Sequence, residues 1–278
     1  MTLTRKQYIL LLITLFIMVC FLVIKNPSTL TAQSTTSTTQ PSLAPVVIAP
    51  STSQKQYEYL EITEGCDPYA EMVCVSVHAG PGVEYEKIYE LRKGMLLKIK
   101  STEVRNGQVW YHVYFDEWLR FPGRVEGDWY IPAIAGRVIN AEGVQVLTPS
   151  TPPTSKRIVI DLSDHMLYAY DGNTEFMRTK ISTGAEATPT PAGTFTVYKK
   201  TPSRYMQGPL EGVTEIPFDL PGVPWNLYFT QDGAVMHGAY WHDRYGTEQS
   251  SGCINLPPEL SKIIYDWAPL GTTVTIQR

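Results

Sequence analysis

The sequence predicts a mostly β protein with two folded domains behind an apolar N-terminal segment. Three observations carry that expectation. Val, Ile, Thr and Tyr are abundant and are interrupted at short intervals by Gly, Pro, Asn and Asp, the pattern of short strands joined by turns. Two stretches poor in core-forming residues, 27–54 and 148–154, divide the chain. One unbroken apolar run, Tyr8–Ile24, precedes the first of them. The formal net charge of −4 argues against nucleic acid as a partner.

Residues 1–26 read as a membrane anchor or signal. Arg5 and Lys6 precede the apolar run and Lys25 follows it. A helix over residues 8–24 spans about 26 Å at about 1.5 Å per residue, near the short limit for crossing a bilayer. The basic residues before it favour a cytoplasmic N-terminus. A retained transmembrane helix is the favoured reading. A cleaved secretory signal is the rival, but the run exceeds most signal cores and no clean Ala-x-Ala follows. Lipoprotein processing at Cys20 is disfavoured by the bulk of Val19. Each reading exports the rest of the chain.

Residues 27–56 form a stalk rich in Ser, Thr, Pro, Gln and Ala, a composition that cannot bury a core. Such a stalk gives the folded part reach beyond the membrane. In an oxidising compartment Cys66 and Cys74, eight apart, are expected to pair in a disulfide around Asp67-Pro68-Tyr69. Neither Cys-x-x-Cys nor His-Glu-x-x-His occurs, so no metal and no other cofactor is expected.

The first domain is expected over residues 57–147. Short strands are predicted near Val75–Val77, Ile88–Leu91, Leu96–Ile99, Val109–Tyr114 and Trp129–Ile131, with Asn106-Gly107 as a hairpin turn. Val75-Ser76-Val77-His78-Ala79-Gly80-Pro81 resembles the start of a bacterial Src-homology-3-like domain, with His78 where Arg is usual. The resemblance implies a small β-barrel, with Trp118–Gly127 as an enlarged loop. Trp110, Tyr111, Tyr114, Trp118 and Trp129 are candidates for a peptide groove or for the core.

After a linker at 148–154, the second domain is expected over residues 155–278. Arg157–Leu162 and Met166–Tyr170 read as a hairpin around Ser163-Asp164-His165, and a strand from Thr174 follows. Thr188-Pro189-Thr190-Pro191-Ala192-Gly193 is a rigid turn feeding another strand. Thr201–Asn226, dense in Gly and Pro, reads as a loop over a site. Asn255 and Pro257 are expected to open a helix whose apolar face carries Leu260, Ile263, Ile264 and Trp267.

Chemistry concentrates in one segment. His237-Gly238 is followed sixteen residues after the histidine by Cys253, within Ser250-Ser251-Gly252-Cys253-Ile254-Asn255. A cysteine thiol becomes a strong nucleophile as thiolate, and an imidazole base provides the route. Gly252 permits the sharp turn that aims adjacent N–H groups at one point, as an oxyanion requires. This segment and Lys156–Ser163 through Thr188–Phe195 resemble the L,D-transpeptidase catalytic domain. Ser251 departs from that family, which usually has histidine there.

The resemblance implies a β-sandwich with one or two short helices. It also implies an envelope enzyme that joins peptidoglycan stem peptides through a Cys253 thioester, with His237 as base. Gly252 and Ser251 belong to the oxyanion loop. Gly238, Tyr240, His242, Trp225 and Asn255 are candidate substrate contacts. Two alternatives stand beside this: an L,D-carboxypeptidase in which water resolves the thioester, and a cell-wall-binding protein whose catalytic centre has lapsed. A papain-like peptidase is disfavoured, because there the cysteine precedes the histidine.

Overall fold

The computed structural model describes residues 55–69, 74–125 and 127–278. The expected anchor, Cys20 and nearly all of the stalk lie outside the described residues. Among the described residues no helix is long and apolar enough to cross a membrane.

The first lobe is one antiparallel sheet. Its strands are β1 (Gln56–Ile62), β2 (Ser76–His78), β3 (Lys87–Glu90), β4 (Leu96–Arg105), β5 (Gln108–Val113), β6 (Trp129–Pro132) and β7 (Gly136–Glu142). They lie in the order β3-β2-β6-β5-β4-β1-β7. Asn106 and Gly107, at φ 51° and 76°, make the tight turn between β4 and β5, the left-handed geometry that matches strand twist. Leu60, Ile62, Val77, Leu91, Leu97 and Ile131 form the buried centre.

The sheet is open, which corrects the expected barrel. All seven residues of β1 pair with β7, while its other side takes β4. The short β3 is left at one edge and β7 at the other, so nothing closes the cylinder. Cys66 and Cys74 are joined by a disulfide with a Cα–Cα distance of 5.2 Å.

The second lobe stacks two sheets. Elements in chain order are β8 (Gln145–Val146), β9 (Lys156–Asp161), β10 (Met166–Asp171), β11 (Thr174–Lys180), β12 (Ser182–Gly184), β13 (Gly193–Thr196), β14 (Lys199–Leu210), β15 (Thr214–Tyr228), β16 (Val235–Gly238), β17 (Thr247–Ser250), β18 (Ile254–Leu256), α1 (Pro258–Trp267) and β19 (Thr273–Gln277). One sheet has the order β11-β10-β9-β19-β13, the other β17-β12-β18-β16-β15-β14-β8. Ile158, Ile160, Leu167 and Val274 from the first meet Leu227, Met236, Ile254 and Leu256 from the second in one core.

Two local expectations change. The expected loop at Thr201–Asn226 is a long hairpin, β14 against β15. Its prolines are accommodated by register shifts after Arg204 and Gly208 rather than by loss of the ladder. Asn255 belongs to β18 instead of opening the helix, and α1 begins at Pro258. The helix buries Ser261, Ile264 and Tyr265, whereas Ile263 faces solvent.

The end of α1 is tied to the sheet by a buried cation. Lys200 on β14 donates to the carbonyls of Tyr265 at 2.7 Å and Ala268 at 2.8 Å. A cation there complements the helix dipole. Burial lowers its pKa to about 8, so it carries charge at neutral pH. Lys200→Met keeps the stem and removes the donor. We predict a loss of about 2 kcal/mol, or about 4–8 °C in melting temperature. An unchanged melting curve would show that water satisfies those carbonyls equally well.

Candidate active site

Sheet register builds the site. β16 runs parallel to β18 with Met236 beside Ile254 and His237 beside Asn255. Continuing that register one step back sets Val235 beside Cys253. Alternate residues of a strand share a face, so His237 and Cys253 project to the same side as diagonal neighbours. Both line a cavity of about 1230 Å³, with Val235, Tyr228, Trp241, Ser250, Ser251 and Asn255 around them.

The turn carrying the nucleophile is fixed from several directions. Ser250 Oγ donates to the Cys253 carbonyl at 2.6 Å. The Ser250 carbonyl accepts from the Ala185 N–H at 2.9 Å and from Thr188 Oγ1 at 3.3 Å. Gly252 has φ +101°, a conformation that penalises every other residue type. Its side has room, so the requirement is conformational: a Cβ there would meet only carbonyl oxygens at 3.7 Å. Upstream, Gly246 N–H donates to the Ile181 carbonyl and Tyr245 OH to the Ala239 carbonyl, both at 2.8 Å.

The imidazole is held in one tautomer. His237 is buried, and its Nδ1 lies 3.1 Å from the Gly238 carbonyl. A carbonyl only accepts, so Nδ1 carries the hydrogen and Nε2 keeps a free lone pair. Trp241 lies against the ring, with centroids 5.6 Å apart.

Both groups are neutral at rest. Burial lowers the His237 pKa to about 4, with the nearby His242 adding to the effect and the Gly238 hydrogen bond opposing it. Burial pushes the Cys253 thiol up to about 11, opposed by a backbone hydrogen bond with Val235. Cys253 opens onto the cavity and is half-buried, while protein atoms surround its sulfur. The arrangement is therefore a thiol and a base with an open lone pair on one face of one cavity.

The remaining candidates separate clearly. Asn255 reaches the cavity, and its Nδ2 donates to His242 Nε2 at 3.0 Å. His242 lies behind Asn255, away from the cavity lining, and its buried Nδ1 has no partner among the described residues. Ser251 is exposed at the cavity wall. Trp225 and Tyr240 do not reach the cavity. Trp225 sits in the inter-sheet core against Tyr265, and Tyr240 in the first lobe's core with its hydroxyl on the Pro221 carbonyl. Gly238 backs onto α1, where a Cβ would meet Ser261 Oγ at 2.6 Å. Of the candidate groove aromatics, Trp110 and Trp129 are core residues, whereas Tyr114 and Trp118 line this cavity.

Sequence reasoning missed Tyr228, Trp241 and the first lobe's hold on the hairpin beside them. Trp241 lies four residues after His237, close enough in sequence to have been suspected. The first lobe's hold on the hairpin had no local signal. Its segment 115–125 grips the β14–β15 hairpin. Gln207 accepts from the Phe121 N–H at 2.9 Å and donates to the Phe121 carbonyl at 3.0 Å. Gln207 also donates to Asp219 at 2.8 Å, and Arg124 reaches Asp219 at 3.0 Å and the Gly208 carbonyl at 2.6 Å. Arg204 pairs with Glu117, which accepts from the Tyr205 N–H at 2.7 Å.

Comparison with known proteins finds a family match for the second lobe. Residues 155–276 match the family described as YkuD, L,D-transpeptidase catalytic domain. Among solved structures, the catalytic domain of an Enterococcus faecium L,D-transpeptidase is 28% identical, covering 44% of this chain and 96% of that one, with a TM-score of 0.39. An L,D-transpeptidase from Mycobacterium smegmatis is 20% identical, covering 66% and 99%, with a TM-score of 0.43. One from Mycobacterium tuberculosis is 19% identical, covering 65% and 98%, with a TM-score of 0.40. No curated protein matches the chain.

The neutral resting pair has a kinetic signature. Alkylation of Cys253 by iodoacetamide, read from the mass of its peptide, is predicted to rise nearly tenfold per pH unit between about pH 7 and 10. A plateau already reached at pH 7 would show a standing thiolate–imidazolium pair and contradict the burial argument.

Proposed function

Because residues 155–276 match the L,D-transpeptidase catalytic domain family, we propose that the protein cross-links peptidoglycan stem peptides through a Cys253 thioester. The observation that carries this is the placement of His237 and Cys253 on one sheet face, lining one cavity. A lapsed wall-binding protein would have no use for a buried base held in a single tautomer beside a thiol. The reading also makes the folded part an envelope protein acting outside the cytoplasm.

The reaction follows from the two neutral groups. His237 Nε2 takes the thiol proton as Cys253 Sγ attacks the L-centre carbonyl of a tetrapeptide stem. The carbonyl oxygen becomes an oxyanion, stabilised by the N–H groups of Gly252 and Cys253. The intermediate collapses, the C–N bond breaks, and the terminal D-alanine leaves with the proton from His237. A stem amine then attacks the thioester, giving its proton to His237. The C–S bond breaks, and the thiolate recovers a proton from the imidazolium.

In this scheme the charged pair exists only transiently. Its formation in a dry pocket is the costly step, so groups that stabilise the developing oxyanion and imidazolium control the rate. Asn255 is the polar group placed beside His237 across the strand pair. With Asn255 and His242 hydrogen-bonded behind the site, an imidazole stands near the catalytic pair even though residue 251 is serine.

The test is mass spectrometry of muropeptides after incubation with the full chain and with Cys253→Ala. Wild type is expected to yield L,D cross-linked dimers, and a carbapenem is expected to add its mass to Cys253. The variant is expected to lose both, with turnover falling by several orders of magnitude. Tripeptide accumulation without dimers would make water the acceptor. Labelling that persists in the variant would overturn the nucleophile assignment.

A further inference from the structure

The register of the active-site sheet continues well beyond the nucleophile. From Cys253 the line of neighbours runs through Val235 on β16 to Tyr228 on β15, which pairs with it. Tyr228 in turn pairs with Lys199 on β14, and Lys199 with Val146 on β8. Residues paired across strands share a face, and all five line the same cavity. A straight row therefore leads from the thiol to an ammonium.

Lys199 is the anomalous member of that row. Other cations in the lining are accounted for. Arg204 is paired with Glu117, and Lys98 with Asp116. Lys55 and Arg120 are exposed at the rim. Lys199 is partly buried, lies 4.9 Å from the centre of the Tyr228 ring, and has no ion pair among the described residues. Burial lowers its pKa, Arg204 adds to that, and Glu117 opposes it. A partly desolvated ammonium without a counter-ion is destabilised until an anion arrives.

We propose that Lys199, over the Tyr228 ring, is the subsite for a carboxylate of an acidic residue in the donor stem peptide. The inference deepens the proposed acyl transfer and rests on it. Three strand spacings of about 4.8 Å separate the backbones of Cys253 and Lys199, about 14 Å in all. An extended peptide covers about 3.4 Å per residue. Allowing for the reach of the lysine, the anion lies two to four residues from the attacked carbonyl. That is too far for the carboxylate of the departing residue itself. The ligand is therefore an internal acidic residue with a free carboxylate, and its amide counterpart is the disfavoured substrate.

The experiment is a cycle on the full chain with two synthetic tetrapeptide donors, one carrying the free internal carboxylate and one amidated there. Release of the terminal residue is measured for wild type, Lys199→Met and Lys199→Arg. Wild type is expected to show about a tenfold lower KM for the acidic donor, with kcat changed less than threefold. Lys199→Met is expected to abolish that preference, and Lys199→Arg to retain most of it. Preference persisting in Lys199→Met overturns the subsite, as does equal use of both donors by wild type. Absence of turnover by wild type on either donor would overturn the acyl-transfer reading itself, which separates the two failures.

Discussion

The grip of the first lobe on the β14–β15 hairpin is the constraint on which the site depends. A hairpin of this length projecting from a sheet edge has few neighbours of its own to fix it. Here the Gln207 amide exchanges two hydrogen bonds with the Phe121 backbone, and Arg124 and Arg204 add charged contacts to the same segment. Ser203 Oγ also donates to the Leu96 carbonyl on β4 at 2.5 Å. Single exposed ion pairs contribute little, but these are partly buried and share backbone partners. They set where the far half of the β14–β15 hairpin lies, and with it the cavity wall at Arg204, Tyr205 and Gln207. The cavity is thus one enclosure with walls from both lobes, rather than a catalytic cleft with an appended module.

Within that enclosure, dryness does the chemical tuning. The strands around Cys253 and His237 exclude water well enough to hold the thiol up and the imidazole down in pKa. The resting His237–Cys253 pair is therefore uncharged. Dryness also makes the cavity intolerant of unmatched charge, which is why the solitary ammonium of Lys199 stands out.

Much of this was legible in the sequence, for identifiable reasons. The strand and turn pattern gave the β architecture of the second lobe, and Asn106-Gly107 marked the β4–β5 turn of the first. His237, Gly252 and Cys253 were legible because chain spacing and backbone freedom are local properties. The misplaced residues share a different cause. Trp225 and Tyr228 are three apart on β15, so they face opposite sides, and only the register decides which side is core. Trp225 was expected at the substrate and is buried; Tyr228 lines the cavity and gave no signal. The hairpin at 199–228 was hidden because its prolines resemble those of a loop, while the groups that hold it lie about eighty-five residues earlier. The open first sheet was hidden because β1 and β7 lie at the edges of their segment and pair only with each other's context in view.

The measurement that tests this account most directly is hydrogen exchange along β14 and β15, in wild type and in a Gln207→Ala, Arg124→Ala double variant. The account predicts that amides of residues 203–210 and 218–224 lose protection by about tenfold or more, while β9, β10 and β19 keep theirs. Unchanged protection in the hairpin would show that it holds its position unaided. The first lobe would then be a neighbour of the active site and not its support.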